Sequence, residues 1–275
     1  MKKTRVLFVS QEITPYLPES DMSLIGRNLP QGIQEAGKEI RTFMPRYGII
    51  NERRHQLHEV IRLSGMNLII DDTDHPLIIK VASIQPARMQ VYFIDNEEYF
   101  QRKAVLTDKD DKLFEDSDER SIFFCRGVLE TVRKLGWAPD IIHCHGWMAG
   151  MLPLYLKKSY RDDPMFAESK VVYSVYDNEI DTPLDKNFAA KAKFDGVSEE
   201  DTKMIEDASI RNLHKLAISW SDAVVQGSEN MDADIASFVK DSATPMLDYQ
   251  SPENYINAYS EFYDSIMEEN SILAE

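Results

Sequence analysis

The sequence predicts an α/β fold, a doubly wound parallel sheet carrying a β-meander insertion. Three observations point there. Short apolar runs without alternation read as strands buried on both faces, the signature of a parallel sheet. These runs take turns with segments whose apolar residues recur at helical spacing. Between His58 and Asp95, by contrast, strand-like runs follow one another with no helix between them.

Arg5–Ser10 is the first strand, a β-rich run with no polar alternation. A polar loop with Pro15 and Pro18 follows. Leu24, Ile25, Leu29 and Ile33 then recur at helical spacing up to Gly37, a residue suited to ending a helix. Ile40–Met44 is the next strand, stopped by Pro45. The meander is expected over Val60–Leu63, Asn67–Ile70, Leu77–Ser83 and Gln90–Ile94.

A helix is expected from Asp116 to Leu135, with acids at its start complementing the dipole and Gly136 ending it. Asp140–His145 is a buried strand and Met151–Tyr160 a helix. Lys170–Val175 and Ala223–Gln226 are strands, and Asp201–Trp220 and Glu229–Val239 helices. The polar stretch from Asp177 to Glu200 shows no clear period and is expected to be a flexible loop.

With 275 residues the chain holds one large domain or two small ones. Its 43% hydrophobic and 28% charged residues are those of a globular protein with a sizeable core. The formal charge of −16 argues against nucleic acid or an anionic membrane as partner. Eight carboxylates and no Lys or Arg fall between Asp241 and Glu275. The apolar run Val6–Val9, behind Lys2, Lys3 and Arg5, is too short for a signal peptide, and no stretch nears a membrane span. Two cysteines, Cys125 and Cys144, both in buried-looking runs, suggest no disulfide framework, so the cytoplasm is the expected location.

Ligands of open parallel sheets bind beyond the carboxyl ends of the strands. Here those ends are Ser10–Met22, His145–Met148, Tyr176–Asn178 and Gly227–Ser228. His143 and His145 stand two apart, but no nearby Cys, Asp or Glu completes a ligand set, so they read as core histidines and no metal is expected. Ser228 lacks a Gly-x-Ser-x-Gly frame and reads as the N-cap of a helix starting at Glu229. No Gly-x-Gly-x-x-Gly or Walker sequence occurs, and no cofactor is expected. The run Asp108, Asp110, Asp111, Glu115, Asp116 lacks the EF-hand spacing and reads as a solvated loop.

Five segments carry a family resemblance: Val6-Leu-Phe-Val-Ser-Gln-Glu-Ile-Thr-Pro15, Met44-Pro-Arg-Tyr-Gly48, Tyr99-Phe-Gln-Arg102, Asp118-Glu-Arg-Ser-Ile-Phe-Phe-Cys-Arg126 and Leu135-Gly-Trp-Ala-Pro-Asp-Ile-Ile-His-Cys-His-Gly-Trp-Met-Ala-Gly150. In order, they resemble the N-terminal domain of bacterial glycogen synthases and plant starch synthases, GT-B enzymes that move glucose from ADP-glucose onto an α-1,4-glucan. The resemblance implies a Rossmann-like GT-B half over residues 1–240. The family's second domain would not fit in the remaining length.

Three departures stand out. The family's Lys-Thr-Gly-Gly-Leu after the first strand is Pro18-Glu-Ser-Asp-Met22 here, so Glu19 and Asp21 would face the donor diphosphate. The motif His-x-His-Asp-Trp-His-Ala-Gly reads His143-Cys-His-Gly-Trp-Met-Ala-Gly150, replacing its Asp and last His by Gly146 and Met148. Where the family has Thr-Val-His-Asn, this chain has Ser174-Val-Tyr-Asp177, with Tyr176 at an active-site histidine. Catalytic family positions are thus replaced by Pro18, Met148 and Tyr176.

By the resemblance, Arg102, His145, Trp147, Tyr176, Asp177 and Ser228 are the expected substrate-binding residues. Trp147 and Tyr176 suit either sugar stacking or core packing. A catalytically degenerate synthase-like domain is expected, binding an α-glucan or a protein partner in glycogen metabolism. The alternatives are a subunit of a split ADP-glucose-dependent glucosyltransferase, with a nucleotide-sugar ligand, and a homodimeric interaction module. Residues 241–251 are expected to be a linker. Residues 252–275 are expected to form a helix, its stripe Tyr255, Tyr259, Phe262 and Ile266 packed back on the domain as the family's closing helix is.

Overall fold

The computed structural model describes residues 3–273, with side chains to residue 268; the last two residues of the expected closing helix lie outside that range. Along the chain, β1 (Arg5–Ser10), α1 (Asp21–Glu35) and β2 (Glu39–Pro45) form the opening unit. The one-turn α2 (Glu52–His55) leads to β3 (His58–Glu59), β4 (Met66–Ile70), β5 (Thr73–Ile84), β6 (Met89–Asp95) and a short α3 (Glu97–Phe100). Next come α4 (Ser117–Leu135), β7 (Ile141–His145), α5 (Leu152–Lys158) and β8 (Lys170–Val175). The short α6 (Phe188–Lys191) and α7 (Glu199–Thr202) precede α8 (Ile210–Ser219), β9 (Ala223–Gln226), α9 (Ala233–Ser242), β10 (Met246–Leu247) and α10 (Tyr255–Leu273).

The sheet runs β10-β9-β8-β7-β1-β2-β6-β5-β3, with β4 paired to β5 off this path. Every pair from β10 to β6 is parallel, while β5 pairs antiparallel with β6, β4 and β3. This is the mixed α/β architecture expected from the non-alternating runs. The central strand shows why they do not alternate: Val6, Leu7, Phe8 and Val9 are all fully buried between two helical layers. Gly136 ends α4 in a left-handed conformation, φ 63°.

Five local expectations are corrected. Val60–Leu63 is a turn: Ser64 Oγ accepts from the Ile79 N–H at 3.0 Å and donates to the Val60 carbonyl, taking the place of a strand ladder. The helix expected over Asp201–Trp220 breaks before Ser209, whose hydroxyl caps the new helix α8 by accepting from Asn212 N–H. The helix expected at Glu229 starts at Ala233, because Asp232 accepts from the N–H groups of Asp234 and Ile235 and so provides the cap.

The stretch 177–200 is anchored. It contains α6 with Phe188 fully buried, and Lys191 bonds Glu119 at 2.7 Å and Asp118 at 3.2 Å. Within 241–251, Met246 and Leu247 join the sheet beside β9.

Helix α10 lies against α1 and reaches the sheet. Tyr255, Tyr259, Tyr263 and Ile266 are buried, and Tyr263 OH sits 2.5 Å from Nδ1 of His143 on β7. Lys38 fixes the solvent side, donating to Ser260 Oγ at 2.9 Å and pairing with Asp264 at 3.0 Å.

Candidate functional site at the strand ends

At the carboxyl ends of β1, β7, β8 and β9 two clefts share Glu12 and Ser20. One, of ≈ 230 Å³, is lined by Glu12, Asp21, Tyr176, Asp177, Asn178 and Ser228 among others. The second, of ≈ 290 Å³, is lined by Glu12, Pro18, Glu19, Thr107 and Glu179 with apolar neighbours. The pair thus gathers the carboxylates Glu12, Glu19, Asp21, Asp177 and Glu179, and among the described residues no Lys, Arg or His lines either cleft.

The start of α1 borders both. Its free N–H groups would ordinarily offer an anion site. Here Ser20 accepts from the Ser23 N–H at 3.0 Å while Ser23 Oγ accepts from the Ser20 N–H at 2.8 Å, a reciprocal cap. Asp21 occupies the first turn, and Ser20 Oγ donates to Glu12 at 2.7 Å. The Ser23 N–H is therefore already taken by the chain's own oxygen, and an acid, Asp21, stands at the positive end of the helix.

Behind the first cleft runs a buried histidine ladder. Tyr176 OH lies 3.0 Å from Nδ1 of His145, whose Nε2 has no hydrogen-bond partner. His143 bridges Tyr263 and Ser174, with Nε2 2.7 Å from Ser174 Oγ. Burial pulls the His145 pKa down to about 3 and that of His143 well below its ordinary 6.5, so both rings are neutral. The Tyr176 phenol is pushed well above 10, by burial first and then by nearby tyrosines and by Glu12 and Asp21. Glu179 is raised as well, by burial and the Glu12 charge, against the opposing Trp147 hydrogen bond. Such a site can accept hydrogen bonds from hydroxyls through its carboxylates, while neither His145 nor Tyr176 is poised to exchange a proton near neutral pH.

The sequence-predicted residues divide. Tyr176, Asp177 and Ser228 line the first cleft together, and Pro18 the second. Ser228 is no helix cap: its Oγ accepts from the Asp177 N–H at 3.0 Å and ties two strand ends together. His145 stands behind Tyr176, reaching the cleft only through it. Trp147 is fully buried with its indole N–H donating to Glu179 at 2.6 Å, so it offers no ring face to a sugar. Met148 is fully buried too, its N–H donating to Gln11 Oε1 at 3.1 Å. Arg102 lies elsewhere, donating to Asp116 at 2.7 Å and stacking 4.6 Å from the centre of the Phe114 ring.

Glu12 and Glu179 were not foreseen. Glu12 lies two residues past the first strand, inside the strand-end stretch Ser10–Met22; Glu179 sits in an aperiodic stretch with no sequence signal.

Gly146 accounts for one of the motif departures. Its φ is 84°, and a Cβ there would come within 2.7 Å of Gln11 Oε1 and 3.0 Å of Met22 Sδ. Any larger residue would have to displace the side chain that holds the Met148 N–H.

Comparisons with known proteins identify the family and the fold. Residues 5–244 match the family described as the starch synthase catalytic domain. The glycogen synthase of Chlorobium limicola is 42% identical over 173 residues, covering 62% of this chain and 35% of that protein. That of Chlorobaculum parvum is 34% identical over 240 residues, covering 85% and 47%. The catalytic domain of starch synthase IV from Arabidopsis thaliana, bound to ADP and acarbose, shares the fold with a TM-score of 0.73 at 16% identity, covering 91% of this chain and 52% of that one. The chain thus spans between about a third and a half of the length of these curated relatives.

Proposed function

Since the chain belongs to the starch synthase catalytic domain family, we propose that it holds an α-glucan at the strand-end clefts and does not by itself transfer glucose from ADP-glucose. The observation that carries this reading is the lining of five carboxylates with no cation. A carboxylate about 6 Å from a phosphate charge repels it by roughly 3 kcal/mol at an effective dielectric of about 20. The helix start that could offset this already carries the Ser20–Ser23 cap and an acid, Asp21, in its first turn.

A neutral polyhydroxylated chain meets the opposite situation. Its hydroxyls donate to carboxylates, each such bond contributing about 1.5 to 3 kcal/mol. Of the two ligands named for the Arabidopsis structure, acarbose suits this lining and ADP does not. Neutral His145 and a firmly protonated Tyr176 supply no acid–base pair near neutral pH.

Calorimetric titration with maltotetraose and, separately, ADP tests the reading. Saturable heat is expected with maltotetraose at about millimolar concentration and none with ADP, and Asp177→Ala is expected to weaken the sugar about tenfold. Heat with ADP, or none with maltotetraose, overturns it.

A second reading is that this domain is one half of a glucosyltransferase whose nucleotide-sugar half lies elsewhere. It draws on the match of residues 5–244 and the 52% coverage of starch synthase IV.

A further inference from the structure

Away from the strand ends, α4 and β4 frame a cleft of ≈ 460 Å³ that shares no residue with the two clefts above. Arg126, Glu130 and Arg133 stand at i, i+4 and i+7 on α4 and therefore form one stripe along it. Lys193 and Phe194, from the segment after α6, complete the lining together with Met66 and its β4 neighbours. In a chain of formal charge −16 this lining carries three cations against one carboxylate.

Arg126 is the unusual member. It is only 5% exposed. Its Nη1 donates to the Ile69 carbonyl at 2.5 Å, and its guanidinium carbon lies 3.7 Å from the centre of the Phe194 ring. Nε has no hydrogen-bond partner, and among the described residues no carboxylate forms an ion pair with it. Burial lowers its pKa, opposed by Tyr155, Tyr160 and Glu130. The acid one turn along, Glu130, is engaged by Tyr160 and Arg133 and does not pair with this guanidinium.

The other charges are partnered within the lining and from outside it. Glu130 accepts from Tyr160 OH at 2.5 Å and pairs with Arg133 at 2.6 Å. Arg133 faces Asp163 at 3.7 Å, and Lys193 bonds Glu199, whose side chain is 84% exposed. The Lys193–Glu199 pair is exposed, and such pairs contribute little and exchange readily, so Lys193 can turn toward an anion, while Arg133, its own side chain 48% exposed, reaches one without leaving the largely buried Glu130.

The geometry points to a binding site for a small phosphate monoester, its dianionic head against Arg126, Arg133 and Lys193 and its organic body against Phe194 and Met66. A phosphate monoester carries roughly −1.5 to −2 charges near neutral pH, which lets it compete with Asp163 and Glu199 for the three cations of the lining, set against the single carboxylate Glu130 within it. The planar guanidinium fork suits phosphate oxygens, and the apolar wall gives the ester a reason to bind better than free phosphate.

Titrating the full chain with glycerol 3-phosphate, inorganic phosphate and malonate at matched ionic strength, by calorimetry and melting temperature, tests this. Glycerol 3-phosphate at about 10 mM is expected to raise the melting temperature and give saturable heat. Arg126→Gln is expected to abolish both. Should that variant fail to fold, the Arg133→Gln/Lys193→Gln pair, with both changes partly exposed, is expected to weaken binding about tenfold. No heat, equal affinity for phosphate or malonate, or binding unchanged in the double variant would each overturn the proposal.

Discussion

Tyr173 and His214 repeat, one layer away, the pairing of Tyr176 with His145: the phenol lies 2.8 Å from Nδ1, and Nε2 of the buried ring has no partner. His214, His145 and His143 are all held neutral by burial, the first two with pKa values pulled from 6.5 down to about 3. Once the pH drops below 6.5, an unfolded chain binds protons at these rings that the folded chain refuses. Stability present above about pH 6.5 is therefore lost on acidification, by up to about 1.4 kcal/mol per pH unit per histidine. Asp118 runs the other way: burial raises it to about 6, so its contribution is present at low pH and lost as pH rises from 3.8 through about 6. Glu179 and Asp95 shift in the same sense as Asp118. A single substitution separates the two groups. His214→Gln is expected to flatten the dependence of unfolding free energy on pH by about 1.4 kcal/mol per unit between about pH 4 and 6; urea denaturation across that range measures it, and an unchanged slope would show that His214 titrates normally. Residue identity at these sites was readable as "core histidine" from the absence of completing ligands around His143 and His145. Their tyrosine partners were not, because Tyr263 arrives from a segment 120 residues away.

At the scale of elements, α10 meets α1 at an unusually close contact. A Cβ on Gly32 would lie 2.6 Å from two carbons of Ile256, so the helices approach only because that side chain is absent. Gly32→Leu is expected to lever α10 outward, uncover Tyr259 and Tyr263, and lower stability by about 2 to 4 kcal/mol, in the range of core disruptions. A melting temperature within a degree or so of the parent's would mean that α10 contributes little. Elements with strong periodicity or unbroken apolar runs, such as β1, β7, β8 and α4, were legible to within a residue or two. Where several polar side chains competed to cap a helix, the start was misplaced: Ser209 and Asp232 won over continuation of an apolar stripe and over Ser228. The turn at Val60–Leu63 was lost for a related reason, since a hydroxyl, Ser64 Oγ, replaces a strand's backbone partner.

For the whole molecule, the doubly wound order and the strand-end location of the clefts followed from chain pattern alone, since both depend on which segments are buried on two faces. The charge of the clefts was partly legible through Glu19 and Asp21; the full set needed the fold to bring Glu179 beside Glu12. If the domain is half of a glucosyltransferase, mixing the full chain with a separately produced nucleotide-sugar domain and radiolabelled ADP-glucose should give incorporation into glycogen that neither part gives alone. No incorporation from the mixture discards that reading. One consequence of the topology concerns biosynthesis. The first strand sits at the middle of the sheet, and Arg5 N–H bonds Asp140, 135 positions later. At about 5 to 20 residues per second, a nascent chain waits on the order of ten seconds before β7 leaves the ribosome to close the far edge of β1. Through that interval an apolar strand with one open side depends on shielding by the translation machinery or by chaperones.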